Sequence, residues 1–149
     1  MCPGARRLAI SAVVVIALLA GCGEDGADST AAPGADDDAP VALSIRYSDG
    51  AGQVLTGTLR CTESEQRATG SLGRRAPAAQ QCSHVRDITS LLIQEPPADR
   101  SCSEVFGGPQ TVRITGTIGD RRIDRRFRRT NGCEIADFTR VSGALPVAG

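Results

Sequence analysis

The four cysteines Cys61, Cys82, Cys102 and Cys133 limit the folds open to this 149-residue chain more than any other feature. They fall in the stretch Val41–Gly149, where the only aromatic residues are Tyr47, Phe106, Phe127 and Phe138. A core of Val, Ile, Leu and Ala spread over 109 residues is modest, and covalent staples supply the stability that it lacks. An even number of cysteines in an exported domain reads as two disulfides, with three pairings open to the sequence alone. Sequential pairing, Cys61–Cys82 with Cys102–Cys133, closes loops of about 20 and 30 residues, worth roughly 3–4 kcal/mol each by restraining the unfolded chain. Zinc competes poorly for these thiols, because there is no C-x-x-C spacing and His84 is the single histidine.

The premise of export comes from the N-terminus. Arg6-Arg7 precede Leu8–Leu18, an apolar run interrupted only by Ser11. That run is too short to cross a bilayer as a mature helix and suits the core of a signal peptide. It leads into Leu19-Ala20-Gly21-Cys22, which resembles the bacterial lipobox: small residues before the cut, then a thiol that takes a diacylglyceryl group. Residues 1–21 are therefore expected to be a lipoprotein signal peptide. Cys22 is the expected lipid anchor, placing the protein on the outer side of the bacterial cell membrane. The pair Arg6-Arg7 leaves the export route open. Residues 22–40 follow the cut, and Gly23–Pro40 carries six acidic residues with no basic or aromatic ones. Such a segment buries no core and reads as a disordered tether with an r.m.s. reach of roughly 20–25 Å.

Residues 41–149 read as one domain. Val41, Leu43, Ile45 and Tyr47 alternate on one face of a strand, and Ser48–Gly52 is turn chemistry. Gln53–Cys61 is a second strand, and Thr62–Gln81 a polar loop. Ser83–Ile93 has helical spacing, with Ser83 as N-cap and Pro96-Pro97 as terminator. A second long loop, Pro96–Pro109, contains Cys102. Val112, Ile114 and Ile118 point inward from the strand Gln110–Ile118, and Gly119-Asp120 turns the chain into Arg121–Arg129. Asn131-Gly132-Cys133 leads to a short helix, Glu134–Arg140, and Val141–Val147 reads as a last strand. The order implies an α+β domain with one antiparallel sheet and a helix packed on it.

With those elements placed, a family resemblance appears. A hairpin ends in Thr58-Leu59-Arg60-Cys61, and Gln81-Cys82-Ser83 opens a helix. A third cysteine lies in the exposed loop Arg100–Pro109, and Thr130-Asn131-Gly132-Cys133-Glu134 follows a second hairpin. This resembles the Streptomyces subtilisin inhibitor family of secreted serine-protease inhibitors, over roughly Val41–Phe138. The resemblance implies a five-stranded antiparallel sheet, two helices (one main, one short), sequential disulfides and often a homodimer through the sheet. It also implies a substrate-like reactive loop whose inhibitory bond lies two residues after the third cysteine. Carried over, Glu104 is P1 and Val105 is P1′, with Ser101, Cys102 and Ser103 before them and Phe106 after. The partner implied is a secreted or surface serine protease. The sequence departs from the family at Ser103, where a stiff or apolar residue is usual. It departs again at Glu104, which suits neither an apolar nor an acidic specificity pocket and points to a glutamate-preferring protease. Gly107-Gly108 is expected to add freedom to the loop.

Other chemistry is sparse. His84 has no G-x-S-x-G partner, and cysteines held in disulfides supply no nucleophile, so neither an enzyme nor a cofactor is expected. The chain has no lysine, and from Val41 onward fifteen arginines face eleven acidic residues. Six of those arginines fall in Arg121–Arg129 and are expected on a solvated outer face. The alternative to inhibition is therefore a non-inhibitory binding or envelope-interaction lipoprotein on the same fold, using that hairpin on a polyanion or headgroups. Nucleic acid is not an expected partner, since no aromatic platform is present.

Overall fold

A computed structural model describes residues 39–145. The expected signal peptide, Cys22 and nearly all of the acidic segment lie outside them. The sheet has five antiparallel strands in the order β3-β2-β1-β4-β5. The central strand, β1 (Val41–Ser48), pairs on one side with β2 (Val54–Cys61) and on the other with β4 (Thr111–Ile118). β5 (Arg121–Phe127) extends the sheet beyond β4. Alternation dictates these four strands: large apolar residues recur every second position and turn to one side, with polar residues between them. Val41, Leu43, Ile45 and Tyr47 of β1 are buried, as are Val112, Ile114 and Ile118 of β4 and Ile123 and Phe127 of β5. The β1–β2 turn is closed by Asp49, whose Oδ1 accepts from the N–H groups of Ala51 and Gln53 at 2.8 and 2.9 Å.

The fifth strand comes from an unexpected place. It is β3 (Gln66–Ala68), three residues at the edge of the sheet against β2, inside the segment read as a loop from Thr62 to Gln81. Val141–Val147 is not a strand in its described part: α4 (Gly132–Ala144) runs through it for 13 residues. Phe138, Val141 and Leu145 are buried at i, i+3 and i+7, so Val141 and Leu145 continue a helical stripe rather than begin a pleat. The second helix is thus longer than expected.

The N-terminal end of the main helix also differs from expectation. α2 (Ala78–Asp87) starts after Pro77, five residues before Ser83, which is exposed in its middle. Its first turn, Ala78-Ala79-Gln80-Gln81, lacks the apolar spacing that signals a helix, yet Ala and Gln are good helix formers and a preceding proline suits a helix start. Gln81 is fully buried. Its Nε2 donates to the carbonyls of Leu72 (3.0 Å) and Ala76 (2.8 Å), joining α2 to the single turn α1 (Gly70–Gly73). Near-bridge dihedrals at Ile88 then separate α2 from α3 (Thr89–Ile93).

α2 packs over β2 and β3, while α3 and α4 pack over β5. All of this lies on one face of the sheet, and the core is the layer between. Cys61 at the end of β2 is bonded to Cys82 in α2, with both cysteines buried in that layer. The opposite face carries no helix among the described residues. The Gly119 N–H donates to the Pro40 carbonyl at 2.8 Å, so the chain enters the domain at the β4–β5 turn, one end of the sheet.

Gln81 should carry stability out of proportion to its polarity. Gln81→Leu leaves two carbonyls without their donor and is expected to cost about 1–3 kcal/mol in denaturant unfolding. The exposed neighbour change Gln80→Leu should move it by less than about 0.5 kcal/mol.

Candidate functional site

Residues 95–110 form neither helix nor strand, and Pro96-Pro97 exclude continuation of α3. This loop ends in β4, at the end of the sheet opposite the point where the chain enters. Eight strand residues separate the two ends by about 25 Å.

The loop is tied down from below. Arg100 Nη2 lies 2.8 Å from Asp137 Oδ2 of α4. Cys102 is bonded to Cys133 in the first turn of α4. The Ser103 carbonyl accepts two N–H groups at 2.9 Å, one from Gly132 and one from Val105. The Gly107 N–H donates to the Arg129 carbonyl at 2.7 Å. Between Ser103 and Gly107, the side chains of Glu104, Val105 and Phe106 stand in solvent. Val105 is 54% and Phe106 68% exposed. Exposed large hydrophobics are otherwise represented only by Val54 among the described residues, so this adjacent pair is the domain's main departure from apolar burial.

The platform under the loop is the start of α4. Asn131 Oδ1 accepts from the Glu134 N–H at 2.9 Å, and the Glu134 carboxylate accepts from Thr130 N–H and Oγ1–H, a reciprocal cap. Gly132 admits the loop because a Cβ there would strike the Ser103 hydroxyl. Gly107 plays a similar part against α4: a Cβ would lie 2.8 Å from Ile135 Cδ1. The freedom expected of Gly107 is therefore absent, since close packing and a backbone hydrogen bond hold it. Arg129 braces the loop's exit, donating from Nη1 to Gln110 Oε1 at 3.0 Å while its guanidinium lies 5.5 Å from the Phe138 ring centre.

Ser101, Cys102, Ser103, Glu104, Val105 and Phe106 thus share one loop, with Cys133 beneath it. Cys61 and Cys82 lie in the core, and Cys22 lies outside the described residues. Arg129 and the Arg100–Asp137 pair carry no signal in the sequence, where only the run Asn131–Glu134, with Gly132 inside it, marks the platform. His84 falls in the last turn of α2 rather than the first, and lines a depression with Asp87, Ile88, Arg140, Gly143 and Ala144. The arginine hairpin divides between two faces. Arg125 turns inward, its Nη1 3.4 Å from Glu95 Oε1 and its guanidinium 5.8 Å from the Phe127 ring centre. Arg122 and Arg126 turn outward.

No protein-family model matches the chain, and no curated protein matches it. Among solved structures, the chain is similar to Streptomyces caespitosus sermetstatin, in a structure titled as its complex with Bacillus licheniformis subtilisin. The two are 22% identical, the match covers 70% of this chain and 96% of that one, and the TM-score is 0.42.

The Cys102–Cys133 bridge should matter more to the loop than its contribution to stability suggests. Replacing both cysteines by Ala is expected to cost roughly 2–4 kcal/mol. Hydrogen exchange at the Val105 and Gly107 amides should then accelerate by a larger factor than at Val112 in β4.

Proposed function

We propose that this protein is a serine-protease inhibitor of the subtilisin-inhibitor type, presenting Glu104–Val105 as a substrate-like bond. The observation that carries this reading is the loop itself. Three consecutive exposed residues, two of them apolar, are held between anchors on both sides. A protease cleft binds an extended, convex segment, and a segment already braced loses little entropy on binding. The inhibitor needs no catalytic residue of its own. If the bond is cut, the Cys102–Cys133 bridge holds the new carboxyl end. The Gly107–Arg129 hydrogen bond and β4 hold the new amine end. The two termini stay together, and re-formation of the peptide bond competes with release.

Glu104 defines the class of target. A carboxylate placed unpaired in an apolar pocket is strongly disfavoured, so the fitting protease has a basic or donor-rich specificity pocket. That describes a glutamate-preferring serine protease better than subtilisin or trypsin.

The same proposal places the domain on the outer side of the cell membrane, through lipid on Cys22 and a tether over residues 22–40. Acyl chains bind at about 0.8 kcal/mol per buried methylene, so two or more give a firm anchor. The tether would join the sheet at the end remote from the loop, which leaves Glu104–Phe106 clear of it. A homodimer through the bare sheet face, which the resemblance implies for many members, would bring two arginine-rich surfaces together at an electrostatic cost.

Titration of the exported chain carrying Cys22→Ser tests the reading. Inhibition is expected for a glutamate-preferring serine protease and not for subtilisin or trypsin. Glu104→Met should transfer inhibition to subtilisin, and Glu104→Lys to trypsin. No inhibition by any of the three chains at micromolar concentration would refute the assignment.

A further inference from the structure

The bare face of the sheet assembles a charge pattern that no single segment displays. Arg67 of β3, Arg60 of β2, Arg46 of β1, Arg113 of β4 and Arg122 and Arg126 of β5 all occupy outward positions and are exposed. The strand register gathers them into two rows. Arg46, Arg113 and Arg126 are direct cross-strand neighbours. Arg67 and Arg60 are neighbours in the second row, which ends at Arg122 beyond Ala42 and Thr117. The one carboxylate on this face is Asp124, which accepts two hydrogen bonds from Arg113 at 3.0 and 2.9 Å. Those bonds hold the Asp124 carboxyl below the usual carboxylate range, so it stays ionised near neutral pH. Between the arginines the face is mostly hydroxyl: Ser44, Thr56, Thr58, Thr115 and Thr117.

Like charges placed directly opposite each other destabilise a sheet, so three arginines abreast, offset by the single carboxylate of Asp124, are a cost the fold carries. An anionic partner would relieve that cost. The face has no aromatic residue for stacking bases and no apolar wedge for insertion beyond Val54 at one edge. Its dimensions select the partner further. Five strands span about 19 Å across the sheet, and the two rows lie about 13 Å apart along it. A linear polymer meets one row, or the pair Arg122 and Arg126 along β5, whereas a plane of headgroups meets all six arginines at once.

We propose that this sheet face is a docking surface for anionic phospholipid bilayers. The inference does not depend on the protease reading. Its surface lies on the side of the sheet away from α4, and the Glu104–Phe106 loop is tied to α4. A domain lying on lipid in this way keeps the loop exposed.

Vesicle co-sedimentation of the Cys22→Ser chain, which removes any lipid anchor, tests the proposal. Binding is expected to phosphatidylglycerol/phosphatidylcholine vesicles and not to phosphatidylcholine alone. It should be abolished in about 1 M salt, where the Debye length falls to about 3 Å. The triple variant Arg46→Gln, Arg113→Gln, Arg126→Gln should bind roughly 30-fold or more weakly, on the scale of an arginine's attraction to an anionic surface. The triple Arg74→Gln, Arg75→Gln, Arg140→Gln removes the same charge away from the sheet and should lose about threefold or less. Denaturant unfolding of both variants confirms that each is folded. Equal losses for the two triples would reduce the effect to net charge and overturn the proposal. So would the absence of vesicle binding, or binding to soluble polyphosphate in its place. Glu104→Met should leave vesicle binding unchanged, so a failure here and a failure of the inhibitor reading are separable.

Discussion

The Cys102–Cys133 bridge ties the long irregular segment of this domain to the first turn of α4, and the candidate site depends on that junction. Residues 95–110 carry too little apolar surface to order themselves by burial. Their order is borrowed from the helix start, through the bridge, the Arg100–Asp137 pair and the two backbone hydrogen bonds at Ser103 and Gly107. The helix start is in turn fixed by the Asn131–Glu134 cap. A loop built this way exposes Val105 and Phe106 without collapsing onto them, which a chain restrained only by its own sequence would not do.

The two ends of the sheet and its two faces are consequently put to different uses. The chain enters at one end of the sheet, beside the β4–β5 turn, and the other end holds the loop. One face is sealed by helices and the Cys61–Cys82 bridge, leaving the other free to collect arginines. The proposed inhibitor and the proposed lipid contact occupy separate surfaces, so the domain can serve both without conflict.

Much of the fold was legible in the sequence because alternation is a strict signal when one face of a sheet is buried. β1, β2, β4 and β5, with their turns, followed from it. β3 did not, since Gln66–Ala68 is short, polar and paired along only one side. The start of α2 was hidden by Gln81, a buried residue whose worth lies in two hydrogen bonds rather than in apolar spacing. Val141 reads locally as the start of a pleat, yet it belongs to a helical stripe begun at Phe138. The loop and its cysteine were visible in the spacing. Its supports at Gly132, Arg129 and Gly107 were not, because close approach between distant segments leaves no local pattern. The arginine face was hidden for the same reason. Its members run from Arg46 to Arg126 and meet only through register, while Arg125, in the most basic stretch of all, points the other way.

On the proposed reading, the braced loop behaves as a reversible substrate. That behaviour is tested most directly by resynthesis. Chain nicked at Glu104–Val105 is incubated with a catalytic amount of a glutamate-preferring serine protease, and intact and cut forms are counted by mass spectrometry over time. Intact chain should reappear, and both starting forms should converge on one mixture containing substantial amounts of each. Progression of both to fully cut chain would contradict that reading.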